Sequence, residues 1–97
     1  MEVGSAKITF LVADSNSLKA KRRVTRSVMT RLRQKFSVAV AEVEQVEHRQ
    51  KLVLGIVCVS NEYGHVVNVL DNVIRYLEST PLGGDLLGIE KEIIRSL

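Results

Sequence analysis

Eight cationic side chains, Lys19, Lys21, Arg22, Arg23, Arg26, Arg31, Arg33 and Lys35, lie between residues 15 and 41, a span without a single Asp or Glu. The rest of the chain carries six basic and eleven acidic groups, so the formal net charge of +3 conceals a strongly polarised molecule. A segregated cationic face concentrates polyanions and steers them in. Phosphates suit it, because Arg and Lys neutralise them without reading sequence. Exposed helices usually mix signs to gain pairs between residues four apart, and this span cannot. Structured RNA, ribosomal above all, is the expected partner of Lys19, Arg22, Arg23, Arg26 and Arg33. The expected contacts are to backbone and shape, since Phe10 reads as core and Phe36 and Tyr76 belong to helices, which leaves no strand aromatics for base stacking.

Other chemistries find little support. Cys58 has no second cysteine to pair with, and His48 and His65 do not form a metal-ligand spacing, so neither a metal nor a cofactor is expected. His65 should point outward with no carboxylate partner identifiable from spacing, and no nucleophile, base and orienting group can be assembled, so the chain reads as non-enzymatic. Met1-Glu2-Val3-Gly4 lacks the basic start of a signal peptide, and no apolar run reaches the roughly 18 residues of a membrane span, which predicts a cytoplasmic protein with no membrane partner.

The elements that position the cations follow from periodicity. At 97 residues the chain is expected to form one domain with one core. Residues 7–12 alternate, with Ile8, Phe10 and Val12 on one side, as a first strand. Asp14-Ser15-Asn16-Ser17 ends it and offers Asn16 or Ser17 as a helix cap. In the helix at 18–35, Leu18, Val24, Val28, Met29, Leu32 and Phe36 occupy an arc of roughly 140°, opposite the cations of the proposed RNA face. Lys21 falls inside the apolar arc. Either it snorkels past the sheet edge, or with Asn16 and Ser17 it lines an anion pocket at the helix start.

A second strand is expected at 37–43, a hairpin loop at 44–50 and a third strand at 51–59, apolar on both faces. Leu52, Leu54, Ile56 and Cys58 can go under the helices. Val53, Val57 and Val59, with Gly55, have nothing to cover them, which marks a candidate homodimer face. Ser60-Asn61-Glu62 opens a second helix, with Asn61 read as its cap, and the helix ends before Thr80-Pro81. Its Tyr63, Val66, Val67, Leu70, Val73, Ile74 and Leu77 form the apolar face, and a last strand follows at 86–94. This order predicts an α+β, ferredoxin-like βαββαβ fold, a four-stranded antiparallel sheet with two helices on one face. Acylphosphatases share that topology, but their phosphate loop needs glycines and an arginine where this chain has Asp14-Ser15-Asn16-Ser17.

Three segments together, SLKAKRRV at 17–24, VAEV at 40–43, and Val53-Leu54-Gly55 followed by Val59-Ser60-Asn61, resemble the YlxP-like family of small bacterial proteins, a domain of unknown function. The similarity spans about Val3 to Ile94. It implies a ferredoxin-like fold and a bacterial protein often encoded among translation and ribosome-maturation genes, with no established catalytic residues to carry over. The chain departs from the family pattern after the first strand, where relatives commonly have a proline-containing turn, and at Arg49, where relatives often carry tryptophan.

Overall fold

The computed structural model describes residues 1–13 and 16–97. Elements follow in the order β1 (Glu2–Leu11), α1 (Leu18–Lys35), β2 (Ala39–Glu44), β3 (Lys51–Ser60), α2 (Tyr63–Ser79) and β4 (Asp85–Ile94). The strands make one sheet in the order β2-β3-β1-β4, and every neighbouring pair is antiparallel. This is the ferredoxin-like arrangement that the element order predicts.

Alternation along the two central strands separates the faces. Ala6, Ile8 and Phe10 of β1 and Leu52, Leu54, Ile56 and Cys58 of β3 are buried in one cluster with Val28 and Leu32 of α1 and Val66, Leu70, Val73 and Leu77 of α2. Each element thus spends one face on the same core, the period being two in the strands and near four in the helices. Gly4 lets α2 come close: a Cβ there would lie 2.4 Å from Val66 Cγ1 and 2.9 Å from Leu70 Cδ1. Tyr63 departs from the expected apolar face. It opens α2 at the surface, where the Arg95 guanidinium stacks 4.1 Å from its ring centre.

β1 begins five residues before the expected start, because Val3 to Lys7 pair with both β3 and β4. β2 starts two residues later and ends one residue later than expected, and it slips register between Glu42 and Glu44. This bulge lays Val43 over Gly55 of β3, where a Cβ would meet Val43 Cγ1 at 2.7 Å. Ser17 is the N-cap of α1, its Oγ accepting the Ala20 N–H at 3.1 Å, so the choice between Asn16 and Ser17 falls to Ser17. Asn61 does not cap α2. Glu62 holds that position without a side-chain cap bond, and Ser60 Oγ accepts the Glu62 N–H. The Asp14 and Ser15 part of the expected turn lies outside the described residues. No helix of the described chain is long and apolar enough to cross a membrane.

Candidate nucleic-acid interface

α1 displays its charge because its buried side is narrow. Only Lys21, Thr25, Val28 and Leu32 are buried, at a spacing of three and four, which turns Lys19, Arg22, Arg23 and Arg26 to solvent. No acidic residue occurs in the helix. Among the described residues Lys19, Arg23, Arg26 and Arg31 make no ion pair, and Arg22 has only a 3.9 Å approach to the exposed Glu47. Arg26 Nε reaches its own helix at Arg22 O. Arg33 stands apart from the others: it is exposed, yet its guanidinium donates to Val40 O of β2 at 2.8 Å, pinning the helix end to the sheet edge. Among the described residues Lys19 and Arg23 therefore offer uncommitted charge, Arg22 has only the distant Glu47, and Arg26 and Arg33 each share a donor with a backbone carbonyl.

Lys21 corrects both expectations made for it. It neither snorkels nor lines a pocket for an external anion with Asn16 and Ser17. The side chain is fully buried, and its ammonium donates to Glu42 Oε2 at 2.8 Å, Gln45 O at 3.0 Å, Val46 O at 3.1 Å and Lys51 O at 3.2 Å. Three N–H donors serving four oxygens leave none for a ligand. The partner carboxylate, Glu42, is 14% exposed on β2, and Gln45 adopts a left-handed backbone, φ 56°, as the loop bends its carbonyl inward. The pairing had a signal in the sequence: Glu42 shares strand parity with the core-facing Val40 and is the first acidic residue after the cationic span.

The opposite side of the sheet is less apolar than expected. Val57 and Val59 are exposed, 40% and 60%, but Val53 is only 3% exposed, with Thr9 and Glu44 as its cross-strand neighbours, so it cannot serve a dimer face. A strand interior already packed in the monomer has no area left to bury. Lys7 occupies the centre of this face, bonded to Glu44 at 3.1 Å and Glu90 at 3.3 Å, and those two carboxylates hold its pKa above the usual lysine value, Glu44 contributing most. The apolar remainder is the β2 side, Ala39, Ala41, Val43, Val57 and Val59. Of the two helices α1 alone thus carries only cations, while the open sheet face holds Glu44, Glu90 and Glu92 around Lys7.

His65 is exposed, with Nδ1 3.1 Å from Ser60 Oγ, and among the described residues it makes no ion pair. His48 braces the β2–β3 loop, its Nδ1 accepting the Gln50 and Lys51 N–H groups. Among the described residues no three His, Cys, Asp or Glu side chains gather to hold a metal ion. One cluster has no local signature in the sequence: Lys35, absent from the expected contact set, meets Phe36 and Tyr76 where α1 and α2 end. Only the pairing of two helix ends brings those residues together.

Residues 3–90 match the family described as "Protein of unknown function (DUF503)". Over 79 residues the chain is 30% identical to "Uncharacterized protein YlxP" of Bacillus subtilis (strain 168), a match covering 81% of this chain and 86% of that protein. The matched span includes the capped start of α1, the Lys21 and Glu42 ion pair and the bulge of β2. The chain belongs to this YlxP-like family of unknown function.

Proposed function

We propose that this is a non-enzymatic accessory protein of the cytoplasm that docks on structured RNA, ribosomal RNA in the first place, through the outer face of α1. One observation carries the reading: Lys19, Arg22, Arg23 and Arg26 project from a helix with no acidic residue, while the one lysine that could blur the pattern is neutralised inside by Glu42. Like charges left unpaired on neighbouring turns cost stability unless something else meets them. A phosphate backbone does so, and a rigid helix fixes the spacing at which it is met. The carboxylates on the far side of the sheet would repel the same ligand, so binding is one-sided. The setting among translation genes that the family resemblance implies favours ribosomal RNA over other polyanions.

The test is a mobility assay with a structured ribosomal RNA fragment across a salt series, together with co-sedimentation with ribosomal subunits from host lysate at low and high salt. Four phosphate contacts give a log–log salt slope of roughly −3 to −4. Arg22→Glu with Arg26→Glu should abolish the shift at moderate salt. Unchanged binding by that double variant refutes the reading.

A second reading has its own observation, the exposed strip of Ala39, Ala41, Val43, Val57 and Val59 on the β2 side of the open face. It supports a dimeric interaction module that would leave α1 free. Val57→Asp should then give a folded monomer from a wild-type dimer in sedimentation, and a wild-type monomer rejects it.

A further inference from the structure

An open groove runs between the C-terminal ends of α1 and α2, lined by Lys35, Phe36, Asn72, Arg75, Tyr76 and Ser79. The Phe36 and Tyr76 rings meet edge to face, centroids 5.7 Å apart and planes at 70°, and both are half-buried, so each ring fixes the other. Lys35 Nζ lies 5.4 Å from the Tyr76 ring centre and 5.9 Å from that of Phe36. Asn72 Oδ1 accepts from the Arg75 guanidinium and orients it. Two cations, two rings and an amide are thus collected at one place, with no acid among the described lining residues.

We infer that this groove takes an unpaired nucleobase of the bound RNA, stacked against Tyr76, with its flanking phosphates on Lys35 and Arg75. The inference rests on the RNA reading above and adds to it a stacking site on the helix layer. Every base has a π face, and stacking on an aromatic ring tolerates any of them. The Lys35 ammonium now lies over the rings, but an exposed cation–π contact is weak, and the flexible four-carbon stem lets the charge swing out to a phosphate when a base arrives. With Asn72 Oδ1 engaged by Arg75, the amide NH2 is left to donate to a base edge. The groove also continues the cationic surface: Arg31 precedes Lys35 by one helical turn.

The chain has two tyrosines and no tryptophan, so Tyr63→Phe leaves Tyr76 as the only strong intrinsic fluorophore. In that background a short single-stranded oligoadenylate should quench Tyr76 emission, and a strand of equal length and charge made of abasic units should not. Affinity for the base-bearing strand should fall on the order of tenfold or more in Tyr76→Leu. Asn72 is exposed, so Asn72→Asp guards against a folding defect, and it should weaken the same strand by bringing a carboxylate to the groove. Equal binding of the abasic strand, or undiminished binding by both Tyr76→Leu and Asn72→Asp, overturns the inference. A protein that shifts duplex RNA in an Arg22- and Arg26-dependent way without Tyr76 quenching overturns this site alone. Failure to bind either RNA form overturns the site and the RNA reading together.

Discussion

Replacing Lys21 by methionine tests the internal ion pair most directly. The substitution keeps most of the stem's volume and removes an ammonium that is fully buried and bonded to one carboxylate and three carbonyls. What remains is a Glu42 carboxylate that is only 14% exposed and has lost its counter-ion. Removing one member of a buried pair typically costs about 3–5 kcal/mol, because the surviving charge stays desolvated. A domain of this size is stable by only about 5–15 kcal/mol, so the loss is a large part of the total. At about 4–8 °C per kcal/mol for a domain of this length, the melting temperature should fall by roughly 12 °C or more. Glu42→Gln leaves an uncharged oxygen for Lys21 and should cost less, roughly 2 kcal/mol. Combining Lys21→Met with Glu42→Gln removes both charges, and it should be clearly more stable than the sum of the single effects allows. Urea denaturation with fitted midpoints measures all three. A Lys21→Met cost below about 1 kcal/mol, with no coupling in the double variant, would mean that the pair does not hold this seam.

Gly4→Ala should destabilise by about 1–3 kcal/mol, since its Cβ would lie 2.4 Å from Val66 Cγ1 and α2 must shift; a thermal melt decides. Cys58 is buried, and desolvation raises its thiol pKa above the ordinary 9.0, with the Gly4 backbone bond acting the other way. As pH climbs past about 9 the unfolded thiol ionises before the folded one, so stability should decline there, and Cys58→Ala should flatten that part of the denaturation–pH curve. Alkylation of Cys58 at pH 8 should follow global unfolding in urea, and rapid labelling of the native protein would contradict its burial. Arg33→Ala should loosen the junction of α1 and β2 by about 1 kcal/mol through loss of the bond to Val40 O, detected as faster amide exchange near Val40.

The element order and the α1 charge pattern were legible because both are local. A two-residue period in β1 and β3, a near-four period in α1 and α2, and the Ser and Pro signals at their ends each depend on a few adjacent residues. Strand alternation likewise assigned Leu52, Leu54, Ile56 and Cys58 to the core, where they are buried. The bulge of β2 was not legible, because it arises from how Val43 meets Gly55 across the strands.

Local periodicity was enough to set the ferredoxin-like order of elements and the bare cationic arc of Lys19, Arg22, Arg23 and Arg26, since it dictates which side of a helix is left for solvent. The packing of the elements settled the fate of single side chains at the seams. It buried Lys21 against Glu42, bound Arg33 to Val40, packed Val53 out of reach and brought Lys35 to Phe36 and Tyr76. Those outcomes turn on partners up to 44 positions away along the chain, and a charge or a ring is settled by the groups that surround it in space, not by its neighbours in sequence.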